Sequence, residues 1–418
     1  MPYLLFMKLL FRFLTALLLL AAPGLAAAQL APIDTSGGRY YRPVFANVTV
    51  TSNVVYGAAT TFGGATQQLL LDVYQPAGDT VKRRPLIIFA HGGGFIAGTK
   101  ADAYPVALCT RLARLGYVAA SIEYRLGFAL TGLAAPADTP KIAAAAIRGG
   151  HDMKAAVRFF RQDAATARTY RVFSNYIIVS GSSAGAFAAL EAGYLDKASE
   201  VPSYLDLAAL GGIEGTSGNP SYSSAVAAVI SLSGATESPN VLEASNAPLC
   251  SVHGTRDATV PYLQGRIGSF LPPKYVYGSG RLHPRASALG IRNTLRTFRG
   301  AGHVPFESNA QYADTTFWTI RDFLRPLLRL PGTTLAARPA SAAPSAQAYP
   351  VPALASVQLT LPTNWRELGP AQVLDMTGRL VRQFTPQARE VQLPRGSLAP
   401  GSYLLQFAGR APVRLVFE

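Results

Sequence analysis

The sequence predicts an α/β fold, a mostly parallel sheet with helices on both faces, followed by a small C-terminal all-β sandwich. Three observations lead there. Short, continuous apolar runs alternate with longer helical stretches between residues 68 and 328. One of those runs, residues 177–180, breaks directly into Gly181-Ser182-Ser183-Ala184-Gly185. Beyond residue 352 the chain changes to short alternating segments separated by turn residues. Strands that are apolar throughout are buried on both faces, and strands that alternate with helices form parallel sheets.

Taken in order, residues 68–74 alternate as a strand and 86–90 form a continuous apolar one. Residues 103–115 read as a helix closed by Gly116, and 117–122 as the next strand. Helical spacing returns at 143–162. The strand at 177–180 leads into an alanine-rich helix over 184–193. Strands at 226–232, 249–253 and 292–298 and an amphipathic helix at 310–328 complete the series. Residues 194–222 and 262–289, rich in Gly, Ser and Pro, interrupt the rhythm and read as loops or a cap over the site. Residues 331–352 are Pro, Ala, Ser and Thr with almost no charge, the composition of a linker. In the tail, runs at 356–361, 371–375, 380–384, 402–407 and 413–417 are separated by Thr377-Gly378, Pro394-Arg395-Gly396 and Pro400-Gly401. The domains are therefore a leader at 1–28, a catalytic domain at 29–330, a linker at 331–352 and a β-sandwich at 353–418.

The leader is read from its layout. Lys8 and Arg12 precede an apolar stretch at 13–20, and Ala26-Ala27-Ala28 supplies small residues before Gln29. That is a secretory signal peptide cut after Ala28, with an uncleaved anchor as the alternative; the stretch is short for a membrane span. No later segment is long and apolar enough to cross a bilayer, so the mature chain is expected to be exported, without a transmembrane span. With 418 residues, 49% of them hydrophobic, the chain can bury a large core. Its net charge of +15 raises nucleic acid as a partner. The cations are scattered, apart from Lys82-Arg83-Arg84, and no nucleic-acid motif is present, so a basic surface that attracts acidic polymers is the preferred reading and no nucleic-acid partner is expected. Cys109 and Cys250 are the two cysteines, each in an apolar run. They read as a disulfide in an oxidising compartment or as two buried thiols, and in neither case as catalytic.

The pentapeptide around Ser183 carries the chemistry. A strand followed by G-x-S-x-G and a helix makes a sharp elbow in which glycines avoid collision, the serine backbone is strained, and Oγ stands clear of the sheet. A serine hydroxyl then needs a base near neutrality and donors for the oxyanion. His91-Gly92-Gly93-Gly94-Phe95 follows a strand, and its glycines leave backbone N–H groups open to a ligand. Gly93 and Gly94, with Ala184 just after the serine, are the candidate oxyanion donors. Of the five histidines, His303 lies between the last strand and the last helix, where a loop can lay its imidazole over Ser183. Asp257 follows the strand at 249–253 and can take the other ring N–H, giving the chain order Ser, Asp, His. His91 and His253 read as structural hydrogen-bonding residues, His151 as a local polar contact at a helix start, and His283 as a loop residue without a role. Glu307 and Asp314 are rivals to Asp257. No metal is expected, since the histidines lack ligand spacing, and no cofactor.

These motifs together resemble the α/β-hydrolase carboxylesterases, near the hormone-sensitive-lipase-like branch. His91-Gly-Gly-Gly-Phe95, Gly181-Ser-Ser-Ala-Gly185, His253-Gly-Thr-Arg-Asp257 and Gly302-His303 carry the likeness. Ser121-Ile-Glu-Tyr-Arg-Leu126 and the helix with Arg148 and Asp152 extend it. The likeness spans residues 69–328 and implies an α/β-hydrolase fold and an esterase with nucleophile Ser183, base His303 and acid Asp257. Ser182 stands where the branch often has Asp, and no N-terminal helical cap is visible in residues 29–67; strands such as 44–50 occupy that place. The tail, through Val373-Leu-Asp-Met-Thr-Gly-Arg-Leu-Val381 and Leu398-Ala-Pro-Gly-Ser-Tyr-Leu-Leu405, resembles the sorting domain of the Bacteroidota type IX secretion system. That implies export machinery as a partner and a cell-surface or released product; a carbohydrate-binding accessory module is the alternative.

The reading is a secreted serine esterase acting through an acyl-enzyme on a small or polysaccharide-borne ester. A prolyl-oligopeptidase-type peptidase is one alternative, since residues 253–261 resemble that group as well. A catalytically silent binding protein on the same fold is the other.

Overall fold

The computed structural model describes residues 33–128, 139–267, 274–328, 347–349, 353–361, 365, 369–375, 379–407 and 413–417. The expected signal peptide, the Thr377-Gly378 turn and most of the linker lie outside them. The chain falls into two compact units, Met1–Pro339 and Ala340–Glu418.

In the first unit eight strands form one sheet. They are β1 (Val48–Thr60), β2 (Thr66–Pro76), β3 (Arg84–Ala90), β4 (Val118–Ile122), β5 (Val172–Ser182), β6 (Ala228–Leu232), β8 (Leu249–Gly254) and β11 (Asn293–Phe298). Their spatial order is β1-β2-β4-β3-β5-β6-β8-β11. β1 and β2 run antiparallel to each other, β2 runs antiparallel to β4, and all pairs from β4 to β11 are parallel. This is the α/β-hydrolase arrangement.

Alternation along each strand divides the core in two. Leu86 and Ile88 of β3, Val118 and Ala120 of β4, and Ile177 and Val179 of β5 face one side. There they meet α2 (Thr139–Ala165) and α3 (Ala184–Tyr194) through Ala155, Phe160, Ala189 and Leu190. Ile87, Phe89, Ala119 and Ile178 face the other side. There they meet α1 (Ala103–Leu115) and α7 (Ala310–Leu327) through Leu108, Leu112, Phe317 and Leu324. Helices therefore cover both faces, as continuous apolar strands require. Cys109 and Cys250 are free and buried in the second of these cores, and burial pushes both thiols up.

Three sequence expectations are corrected. Residues 262–289 are not simply loop. They hold β9 (Gln264–Arg266), β10 (Tyr275–Gly278) and α5 (Ser279–Ala288), and β7 (Ala235–Thr236) joins β10 and β9 in a small sheet. Tertiary packing of Leu282 and Ala286 stabilises α5 despite Pro284 in its interior. His283 sits in that helix, buried, with Nδ1 2.9 Å from Asn293 Oδ1, and burial lowers its pKa to about 4. His151 is not at a helix start but midway along α2, buried against Gly215, with its pKa lowered to about 4 by burial and then by Lys154 and Arg125. The expectation of strand rather than a helical cap in this part of the chain is met, since residues 33–60 contain the 3-10 turn Ser36–Gly38 and β1.

The second unit holds two sheets, one of β12 (Gln347–Tyr349), β13 (Ser356–Thr360) and β16 (Glu390–Pro394). The other holds β14 (Ala371–Asp375), β15 (Leu380–Phe384), β17 (Gly401–Phe407) and β18 (Val413–Phe417). β12 falls inside the stretch read as linker, because three residues among Pro and Ala carry no alternation to detect. Val357, Leu359 and Leu393 from the first sheet share one core with Val373, Leu405 and Leu415 from the second, which makes a sandwich. No helix among the described residues is long and apolar enough to cross a membrane.

The turn from β5 into α3 depends on close backbone approach. A Cβ on Gly185 would stand 2.1 Å from the Ala90 carbonyl oxygen, and one on Gly181 would stand 2.2 Å from Gly185 O. Gly63, by contrast, has nothing nearer than 3.9 Å. Gly185→Ala is therefore expected to lower the unfolding free energy by about 3 kcal/mol or more, or to prevent folding, while Gly63→Ala stays within about 0.5 kcal/mol. Thermal unfolding of the two purified variants checks this; a native-like Gly185→Ala protein would contradict it.

Candidate active site

Ser183 sits between β5 and α3 with φ 50° and ψ −120°, a strained conformation for a residue with a side chain. Its own N–H donates to Leu232 O of β6 at 2.9 Å, which ties the elbow to the neighbouring strand. The strain projects Oγ off the carboxyl end of the sheet, 2.8 Å from His303 Nε2.

His303 lies in the loop between β11 and α6 (Pro305–Ser308). That loop packs tightly on the end of β8, where a Cβ on Gly254 would come within 2.4 Å of the Ala301 and Gly302 carbonyl oxygens. Three residues after Gly254, Asp257 Oδ2 lies 2.7 Å from His303 Nδ1. An ionised carboxylate only accepts, so the proton sits on Nδ1 and the Nε2 lone pair accepts from the serine hydroxyl.

Asp257 is held on every side. Its side chain has no exposed surface. Oδ1 accepts from Thr259 N at 2.9 Å and Val260 N at 2.8 Å, while Oδ2 also lies 3.3 Å from His253 Nε2. Burial works to raise its pKa, but the bonds from His253, His303 and Val260 outweigh it and hold the carboxyl well below the ordinary range. His253 donates from Nε2 to Val260 O at 2.9 Å and accepts at Nδ1 from Ser279 Oγ at 2.9 Å. It braces the aspartate turn.

The glycine loop after β3 lies beside the elbow. A Cβ on Gly92 would be 3.4 Å from Ser183 Cβ. Gly93 has φ 112° and a Cβ there would meet Ala97 O at 2.0 Å, while Gly94 has φ 63°. Its backbone therefore turns left-handed at residues where only glycine does so freely. His91 is below the loop, with Nδ1 2.6 Å from Gly92 O, Nε2 3.4 Å from Glu123 Oε2, and its ring stacked on Tyr124. Ala184 provides the first amide of α3, which has no acceptor within its helix, at the positive end of the helix dipole. Gly93, Gly94, Ala184, Ser183 and His303 all line one cavity of about 340 Å³. Of the rivals to Asp257, Asp314 pairs with Arg111 at 2.8 Å. Glu307 lines the cavity, its pKa raised by burial. No group of three or more metal-ligating side chains occurs among the described residues.

One residue was not singled out from the sequence. Glu191 of α3 lines the same cavity, and its carboxyl is pushed up to about 7, first by burial and then by Glu237. An acid in an alanine-rich helix gives no signal of this, because its surroundings come from distant segments.

Residues 71–246 match the BD-FAE family model, a span that includes the glycine loop and the elbow and ends before Asp257 and His303. No curated protein matches. The chain is similar to solved structures of esterase 2 from Thermogutta terrifontis. Its apo form has a TM-score of 0.47 at 23% identity, covering 71% of this chain and 98% of that one. The butyrate-bound form gives 0.46 at 22%, covering 72% and 98%. The form phosphonylated by cyclosarin gives 0.47 at 23%, covering 68% and 95%.

The raised Glu191 pKa has a consequence for stability. The folded state keeps this proton more tightly than the unfolded chain, so the contribution is full below the ordinary value of 4.5 and is lost as pH rises through about 7. Glu191→Gln removes the ionisation. The variant is expected to match wild type near pH 4.5 and to exceed it at pH 8 by on the order of 3 kcal/mol, several degrees in the unfolding midpoint. A midpoint difference that does not change with pH would contradict this.

Proposed function

We propose that this α/β-hydrolase-fold enzyme hydrolyses carboxylic esters through an acyl-enzyme on Ser183. The observation that carries the reading is the continuous hydrogen-bonded chain Ser183–His303–Asp257 opening into a cavity edged by the glycine loop. The BD-FAE match agrees with it.

Ser183 Oγ attacks the ester carbonyl carbon as its proton passes to His303 Nε2. Asp257 stabilises the imidazolium and keeps Nδ1 protonated. Negative charge on the carbonyl oxygen is received by the N–H groups of Gly93, Gly94 and Ala184, in a site whose walls exclude much of the water. Collapse of the tetrahedral species breaks the bond to the alcohol oxygen, which takes the proton from His303. Water, deprotonated by the same imidazole, then attacks the acyl-enzyme and releases the acid.

Acyl or feruloyl groups on plant polysaccharides, short-chain esters or a polyester all fit this chemistry. Export belongs to the same proposal. The leader would carry the chain across the inner membrane and the tail would engage a sorting machinery.

Purified wild-type protein should hydrolyse p-nitrophenyl acetate and react with a fluorophosphonate probe. Ser183→Ala should lose the labelling and about 10⁴-fold or more of kcat, and Asp257→Asn about 10⁴-fold. Absence of labelling on folded wild type would sink the mechanism. For export, deleting residues 353–418 in the native host should leave the protein inside the cell envelope. Unchanged delivery to the medium or surface would reject the role of the tail.

A further inference from the structure

The cavity that begins at Ser183 extends along α3, whose Ala184, Phe187 and Glu191 follow one another at helical spacing on its wall, with Leu195 just past the helix end. Around the serine the lining is apolar apart from His303 and Glu307, with Phe95, Ile142 and Val260 among it. At the other end it changes to Glu191, Glu200, Glu237 and Lys274. The seven-residue step from Ala184 to Glu191 spans roughly 10 Å along the helix, with the side chain leaning back toward the serine.

The Glu191 carboxyl makes no hydrogen bond to any described residue, and the cations near it are committed elsewhere. Lys154 Nζ donates its three N–H groups to Leu195 O at 3.0 Å, Ile213 O at 2.9 Å and Glu214 Oε1 at 3.3 Å. Lys274 Nζ donates to Tyr204 OH at 2.6 Å and pairs with Glu237, which also accepts from Tyr204 OH at 2.8 Å. Glu200 Oε2 accepts from the N–H groups of Asp196 and Lys197 at 3.0 Å each, but its Oε1 is buried with no partner. A protein of net charge +15 thus turns three carboxyl groups and a single, already engaged lysine toward the end of its cavity. Leaving the buried Glu200 Oε1 unmet is costly unless a ligand meets it.

We propose that Glu191 is a specificity-determining residue, its carboxyl and the free oxygen of Glu200 receiving an ammonium group carried by the substrate roughly six to eight bonds from the scissile carbonyl. A neutral hydroxyl would satisfy one acceptor, but the surplus of carboxylates selects a cation. This assignment rests on the ester-hydrolase reading of Ser183.

The test uses the full-length mature enzyme and isosteric ester pairs. On the acyl side, p-nitrophenyl 6-aminohexanoate and 8-aminooctanoate are compared with the heptanoate and nonanoate. On the alcohol side, 4-aminobutyl and 6-aminohexyl acetates are compared with pentyl and heptyl acetates. ω-Hydroxy esters of the same lengths form a third set. At pH 7.5 the wild type should favour the ammonium ester in one of the two series by about tenfold or more in kcat/KM, and above the hydroxy ester. In Glu191→Gln that ratio should fall to near one. A wild-type ratio of one or less in both series, equal preference for the hydroxy ester, or an unchanged ratio in Glu191→Gln would each overturn it. Failure of the underlying reading looks different, because p-nitrophenyl acetate would then not be hydrolysed at all.

Discussion

The site depends on backbone approaching backbone with no side chain between. At the elbow, Gly181 and Gly185 let the start of α3 rest against the last carbonyls of β3, and the contact fixes the angle at which Ser183 leaves the sheet. Because the glycine loop continues from those same carbonyls of Ala90 and His91, nucleophile and candidate oxyanion donors are set by one contact. A second approach of the same kind, Gly254 beneath Ala301 and Gly302, brings the loop after β11 down onto the loop after β8. His303 and Asp257 meet because of it. Parallel strands end on the same side, so loops far apart in sequence share one edge.

Geometry alone would leave the aspartate free to turn. Two backbone N–H groups hold Oδ1, while His303 and His253 share Oδ2. The arrangement works because His253, oriented by Ser279, shares its single Nε2–H between the Val260 carbonyl and the carboxylate. Ser279 begins α5, a segment that has no other link to the chemistry. The helix thus stabilises the acid through a histidine that never reaches the substrate.

What could be read from the chain follows from the range over which each signal acts. Continuous apolar runs and the G-x-S-x-G turn are local, and the parallel strands β3, β4, β5, β6, β8 and β11, the elbow and the Ser183, Asp257 and His303 positions were legible from them. α5 was not, because Gly280 and Pro284 argue against a helix and only burial of Leu282 and Ala286 stabilises it. Helical spacing is detectable only from residue 143, whereas α2 begins at Thr139, and His151 lies midway along it rather than at a start. Gly149 and Gly150 resemble a break, yet a Cβ at Gly149 would come within 3.2 Å of Ala188 and one at Gly150 within 2.7 Å of Glu191 Cβ. The pair admits a close crossing of α2 over α3 rather than ending the helix.

That crossing also explains why Glu191 differs from an ordinary surface acid. Two glycines in α2 bring α3 near enough to remove water from the base of the Glu191 side chain, while the cavity leaves its carboxyl facing ligand space. An apolar residue there would pack against the same helix without any ionisation penalty, so the fold has no need of an acid at this position. Lys154, one turn beyond Gly150 on α2, could have neutralised it, yet its three donors are fixed by two carbonyls and Glu214. Stability and the charge of the cavity end therefore pull in opposite directions at residue 191, a conflict usual where a wall is shaped for a ligand rather than for packing.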